Sequence, residues 1–290
     1  MKRPGGIAAA SLILCIAAGC ASAEPVSRAT TAGSMAASTA TTSTTARFTT
    51  PSTPSPVRVF SVALRSLYQA KTVEYVVEST VQLGENAIRT ERKVTVDGDK
   101  GLALTRLRLR GEVPGQDEVD LTMRIVNTPD AAYVTMPAWT GSRRGKWMEM
   151  TNESALSMGV PLELSAPTTV PPGVEALAAE EFARGGAVRG SIDALPAFSL
   201  LGMSGIFKDP DLSSSLIGSV PASVTFDADS GAIATFTVTG KGHDVWSTSE
   251  SLPPGMIEQV IDAARAKVTI TKIGGRVDVS VPAAEDILKE

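Results

Sequence analysis

An α+β fold built on one strongly curved antiparallel β-sheet is what this sequence predicts, and three observations predict it. Segments of strict two-residue alternation follow one another from Val73 to Met150. Turn signals such as Gly84-Glu85-Asn86 and Asp97-Gly98 separate them at short intervals. Few other segments carry helical spacing. Alternation gives each strand one wet and one dry face, and short connections make neighbouring strands antiparallel. A dry face shared by so many strands has to be covered. The amphipathic N-terminal helix and the irregular middle of the chain are the only lids available for it.

In chain order, Val57, Phe60, Leu64 and Leu67 recur at helical spacing, so Val57 to Lys71 reads as an amphipathic helix. Val73, Tyr75, Val77 and Val81 then alternate with Glu74, Glu78, Thr80 and Gln82, and a second strand runs from Ile88 to Val96. Leu107 and Leu109 alternate with Arg106, Arg108 and Arg110, and Val119, Leu121, Met123 and Ile125 alternate with Asp120, Thr122 and Arg124. Ala132 to Met136 and Lys146 to Met150 are shorter strands around Trp139-Thr140-Gly141. Residues 151 to 219 break the pattern. They hold a proline-rich loop, a short helix expected from Val174 to Arg184 before Gly185-Gly186, and an apolar stretch from Ile192 to Ile217. Strands resume at Ala222 to Asp227 and Ala232 to Thr239. A second helix is expected from Pro254 to Lys267, where Pro254 stands at a permitted first-turn position. Val268 to Ile273, the Gly274-Gly275 turn and Val277 to Val281 read as a closing hairpin. No internal repeat is visible.

The first residues have a different character. Lys2 and Arg3 precede an apolar run from Ile7 to Ala18, which is too short for the roughly 20 residues that span a bilayer and so reads as a secretory signal. Ile16-Ala17-Ala18-Gly19-Cys20 resembles the lipobox of bacterial lipoproteins, with Ala17 where Leu is commoner. That resemblance implies cleavage before Cys20 and acylation of its sulfur, at roughly 0.8 kcal/mol of membrane affinity per buried methylene. The alternative is a plain signal peptide cut after Ala21 or Ala23. Residues 20 to 56 are dominated by Ala, Ser and Thr and end on Pro51, Pro54 and Pro56. Such a segment cannot bury enough apolar surface to order itself. It reads as a tether with a typical reach of roughly 30–36 Å, and as a stretch open to O-glycosylation. Residues 1 to 19 thus read as a signal peptide, 20 to 56, on the lipobox resemblance, as a lipidated cysteine with its tether, and 57 to 290 as one folded domain.

Composition narrows the chemistry. Cys15 lies in the signal segment, so Cys20 alone would remain and no intrachain disulfide can form. His243 is the single histidine, which excludes a histidine-built metal site. Net charge is −4, and −6 once Lys2 and Arg3 leave with a segment that holds no acids, so nothing in the balance favours nucleic acid or anionic lipid headgroups as the main partner. His243-Asp244 has no partner serine in a G-x-S-x-G elbow, since Gly202-Met203-Ser204-Gly205 is not one. Gly240-Lys241-Gly242 has too few glycines for a phosphate loop, and Asn152-Glu153-Ser154 is a sequon only by its letters. Glu180-Glu181 and Glu285-Asp286 read as solvated surface acids. No catalytic group, metal or cofactor is expected.

The order of elements resembles the actinobacterial lipoproteins of the LppX and LprG type and, more distantly, the LolA and LolB carriers. The likeness rests on the lipobox and Thr-rich tether, the helix entering Thr72-Val73-Glu74-Tyr75, and Ala132-Tyr133-Val134-Thr135-Met136-Pro137 followed by Lys146-Trp147-Met148-Glu149-Met150. The turn at Asp227 to Gly231 and the ending Gly274-Gly275-Arg276-Val277-Asp278-Val279 also carry it. It implies a LolA-like half-barrel whose apolar cavity takes the acyl chains of a lipid or lipoglycan for transport across the envelope, in a protein lipid-anchored on the extracytoplasmic face of the cell membrane. The residues expected to line that cavity are Val73, Tyr75, Val77, Leu107, Leu109, Val119, Leu121, Met123 and Ile125, with Phe198, Leu201, Met203 and Phe207 in a mobile lid. Methionines at 123, 136, 148, 203 and 256 suit a cavity of adaptable shape. The alternative is a half-barrel filled by its own side chains, docking an envelope protein on an outer face. The Arg106, Arg108, Arg110 row fits either an exposed strand or contact with anionic headgroups.

Overall fold

The computed structural model describes residues 54–83, 85–111, 118–157, 168–201, 216–217, 219–241, 247–248 and 263–288. Cys20 and nearly all of the tether lie outside these residues. The described chain opens with helix α1 (Pro56–Gln69). Ser55 caps it by accepting from the Arg58 amide at 3.3 Å, Pro56 sits where no amide is needed, and Phe60, Ala63 and Leu67 form its buried stripe. Its far end is tied by the Thr169 hydroxyl, which donates to the Leu67 carbonyl at 2.6 Å.

A meander follows: β1 (Thr72–Leu83), β2 (Asn86–Asp97), β3 (Leu102–Gly111), β4 (Val119–Asn127), β5 (Ala131–Thr135) and β6 (Met148–Thr151). After a short helix α2 (Asn152–Ser157) come β7 (Ala178–Phe182), β8 (Val188–Asp193) and helix α3 (Ala194–Leu201). The two-residue strand β9 (Leu216–Ile217) precedes β10 (Ser219–Phe226) and β11 (Ile233–Lys241). It pairs with β12 (Ser247–Thr248), and β13 (Ala263–Ile273) is the last strand. Eleven of the strands form one open antiparallel sheet in the order β6-β5-β4-β3-β2-β1-β13-β11-β10-β8-β7. Helix α3, about 12 Å long at 1.5 Å per residue, contacts β1, β13, β10 and β8. Its buried side chains share one cluster with those of α1 and of β1, β2, β8, β10, β11 and β13, so the sheet wraps around the helices. This is the curved antiparallel α+β sheet that alternation and short turns predict.

Three elements differ from the sequence expectations. The helix expected over Val174 to Arg184 is a single 3-10 turn, Val174–Ala176, after left-handed Gly173, and Ala178–Phe182 is strand β7. Helix propensity is a weak preference, and pairing along the edge of β8 outweighs it. The approach is so close that a Cβ on Gly190 would overlap the Ala178 carbonyl. The helix expected over Pro254 to Lys267 gives way at its C-terminal end to β13, where Ala264, Ala266 and Val268 are buried on alternate positions. Small alanines satisfy either period, and pairing with both β1 and β11 decides for strand. Residues 254–262 lie outside the description.

The third difference is the closing hairpin. With β1 on one side and β11 on the other, β13 has no free edge for a hairpin partner. The chain instead turns at Gly274 and Gly275, both with positive φ (76° and 86°), and leaves the sheet. Residues 276–288 cross the outer face as a strap. Val279 is buried against Leu102, Leu104 and Val126, with Val277, Tyr133 and Trp147 around them. Trp147 donates to the Asp286 carbonyl and receives from the Leu288 amide, both at 2.8 Å. The Arg124 guanidinium lies 5.4 Å from the centre of the Trp147 ring.

Candidate functional site

Strand register sorts the side chains of the sheet into rows, and the inner rows divide into two apolar regions. The first lies under the helices. Val73, Tyr75 and Val77 of β1 are buried with Phe60, Ala63 and Leu67 of α1 and with Ala197, Leu200 and Leu201 of α3. Phe236 and Val268 close the same cluster from β11 and β13. Of the residues expected to line a cavity, Val73, Tyr75, Val77 and Leu201 all meet here.

The second region lies over β3 to β6. Leu107, Met123 and Ile125 are buried with Ala132, Val134 and Ala155, while half-buried Leu121, Met136 and Met150 pack against them. Pairing of Leu109 with Leu121 and of Val119 with Gly111 puts Leu109 and Val119 on the same face, both half-buried. Met148 pairs with Val134 and joins that face too. Four methionines thus gather here, Met123 on β4, Met148 and Met150 on β6, and Met136 just past the end of β5. Of the other expected lining residues, Met203 and Phe207, and the side chain of Phe198, lie outside the description.

Between the two regions runs a polar diagonal that the sequence reading did not single out. Arg92 pairs with Leu107, Thr105 pairs with Val94 and Ile125, and Asn127 pairs with Ala103 and Ala132. All three are buried, Arg92 at 2% exposure and Thr105 and Asn127 at 0%. Arg92 Nη2 donates to the Leu200 carbonyl, and Ser79 Oγ donates to the Leu201 carbonyl at 3.3 Å while sharing a short hydrogen bond with Thr90. A helix leaves its last carbonyls without partners and its C-terminus partly negative. The guanidinium and the hydroxyl therefore dock the end of α3 onto β1 and β2. Thr105 Oγ1 and both polar atoms of the Asn127 amide have no hydrogen-bond partner. Burying such a group without one costs about 1–3 kcal/mol. The signal for these residues was the strand phase itself: counting by twos from Val94 and Val96 turns Arg92 inward, and counting from Leu107 and Ile125 turns in Thr105 and Asn127.

The hairpin joining β2 to β3 carries the clearest electrostatic feature. Asp97 is buried, accepts from Lys100 Nζ at 2.9 Å and from the Lys100 amide at 3.2 Å, and is held below the usual carboxylate range chiefly by those bonds. On the outer face, burial and the neighbouring Glu149 raise the Tyr133 phenol, whose hydroxyl donates to Glu149 at 3.2 Å. The paired acids of the sequence are exposed, Glu180 accepting from Ser191 and Asp286 facing Lys146 at 3.8 Å. Among the described residues no His, Cys, Asp or Glu group of three or more is placed to hold a metal ion. Among them also, no helix is long and apolar enough to cross a membrane.

No protein-family model matches the chain, and no curated protein matches it. Among solved structures, the chain is similar to LprF from Mycobacterium bovis over 80% of its own length and 99% of the other, at 13% identity and a TM-score of 0.42. It is similar to the Mycobacterium tuberculosis lipoprotein LppX over 77% of its length and 96% of that chain, at 15% identity and a TM-score of 0.39. LppX is one of the lipoproteins whose element order the sequence resembles.

Proposed function

We propose that the protein is a non-enzymatic envelope lipoprotein, held to the cell membrane through Cys20, which takes the acyl chain of a lipid or lipoglycan against the β3 to β6 half of its inner face. One observation carries the reading. The inner face holds a second apolar region, separate from the helix-filled core, lined by methionines and left half-buried at Leu109, Leu121, Met136, Met148 and Met150. Unbranched, polarisable methionines adapt to chains of differing shape, and an apolar concavity with few polar groups is the usual form of a lipid site. The polar diagonal of Thr105 and Asn127 borders that region.

The test is direct. Protein purified from its native host and extracted with organic solvent should release lipid visible by mass spectrometry, and the emptied protein should take up a fluorescent fatty acid. Leu121→Trp, which fills the half-buried margin, should reduce that uptake while leaving the far-ultraviolet circular dichroism unchanged. Absence of extractable lipid together with absence of uptake sinks the reading. A second reading, a protein-docking module with a filled core, draws on the helix-filled first region. It predicts instead one envelope partner recovered in near-equal amount after crosslinking in membranes.

A further inference from the structure

The outer face of the sheet is divided as sharply as the inner one. Its apolar row, Leu104, Val126 and Tyr133, lies under the C-terminal strap. The rows beyond the strap are open and basic. Register sets Lys93, Arg106 and Arg124 side by side across β2, β3 and β4, all exposed. The next row runs Lys267, Glu78, Glu91, Arg108. The third runs Arg265, Thr80, Arg89, Arg110, Asp120. Eight cations thus face three acids in a chain whose net charge is −4. Asp120 is shared by Arg108 at 2.8 Å and Arg110 at 3.3 Å, and Glu91 meets Lys93 at 3.0 Å. An exposed strand needs polar residues on its wet face, but that need is met equally well by mixed signs. On β11 the same rows continue as Thr235, Thr237 and Thr239.

We propose that this open basic part of the outer face docks on the anionic phospholipid headgroups of the membrane beside which Cys20 holds the body. The proposal goes beyond lipid uptake and takes from that reading only the Cys20 anchor, which supplies proximity. Guanidinium forks match phosphate oxygens in pairs, and most of the cations here are arginines. A tether of roughly 30–36 Å reach keeps the body at high effective concentration near its own bilayer, so weak attraction is enough to orient it. An anionic leaflet attracts nearby Lys and Arg over about a Debye length. Docked in this way, the sheet lies along the bilayer with its outer face down, and α1 with the inner face points away.

The experiment uses the lipidated full-length protein in vesicles of phosphatidylcholine, with and without phosphatidylglycerol, at low and high salt. One nitroxide label is placed at Thr122→Cys on the outer face and another at Val62→Cys, an α1 position that is 61% exposed on the opposite side. Accessibility to a water-soluble collision reagent is the readout. The Thr122 label should be shielded only in the anionic vesicles at low salt, and the Val62 label should stay accessible throughout. Combining Arg89→Gln, Lys93→Gln and Arg106→Gln should lower the docked-to-free ratio about fivefold per cation removed, with circular dichroism unchanged. Equal accessibility of Thr122 in both compositions overturns the proposal, as does shielding of Val62 in its place. So does binding of soluble polyphosphate without any response to phosphatidylglycerol. Failure of the anchor reads separately, as release from neutral vesicles at high salt, while sedimentation with anionic vesicles at low salt still tests the face.

Discussion

Under α1 and α3 the inner face is closed by side chains of the protein itself, whereas over β3 to β6 a continuous apolar surface ends in half-buried leucine and methionine. Both halves belong to the same sheet and follow the same alternation, and they differ in what lies on top. Tyr75 and Val77 meet aromatic and branched side chains of two helices, so their burial is a matter of folding. Met136 and Met150 stand at a margin of small or flexible groups. A curved sheet can therefore use one half of its dry face as its core and keep the other half for a different purpose.

That contrast can be broken most forcefully in the closed half. Leu67→Ala, which removes a fully buried side chain between α1 and β1, should cost about 2–5 kcal/mol in urea unfolding. Met136→Ala should cost much less stability and should lower fatty-acid uptake, which Leu67→Ala measured below its unfolding midpoint should leave intact. The reverse pattern would show that the halves have exchanged roles. Arg92→Met comes next. It fills similar space but releases the Leu200 carbonyl, and it should cost about 1.5–3 kcal/mol, the usual range for a hydrogen bond from a charged group. Protease sensitivity near α3 should rise with it.

A smaller effect of opposite sign is expected at Thr105. Replacing its unpartnered buried hydroxyl with a methyl group in Thr105→Val should raise stability by about 1 kcal/mol, and a loss of similar size would mean that the hydroxyl is in use. The smallest concerns the hairpin between the halves. Because bonding to Lys100 lowers the Asp97 carboxyl, its contribution is fully present above the unfolded value of about 3.9 and disappears as pH falls through the lower folded value. Asp97→Asn should remove on the order of 1 kcal/mol at neutral pH and flatten the acid limb of the stability curve in that window.

Much of this architecture was legible in the residues. Alternation placed β1 to β5 and the inward phase of Tyr75, Leu107 and Met123, and heptad-like spacing placed α1 within two residues of its observed ends. What was not legible depended on long-range partners. Ala263 to Lys267 suits helix and strand alike until β1 and β11 are known to flank it. Val277 to Val281 alternates like a strand, yet the edge it would need is taken. The division of the inner face was hidden for the same reason, since nothing local to Val77 or Met123 says which of them α3 will reach. Arg92 is readable from its phase alone, against the ordinary expectation that a charge faces water.

The position of β13 has a consequence for how the chain is made. It joins the β1 to β6 meander to the β11-β10-β8-β7 group, and it is formed by residues 263–273. During synthesis from the N-terminus both groups are complete before their common neighbour exists. Each then exposes an unpaired edge, β1 on one side and β11 on the other, with a separation of 200 residues between the β1 and β13 partners Val73 and Ile273. Pairing so distant in sequence is intrinsically slow, and open edges are what chaperones and translocation machinery hold apart. Under the proposed envelope reading this order has a use: the sheet cannot close until residues 263–273 have been threaded through.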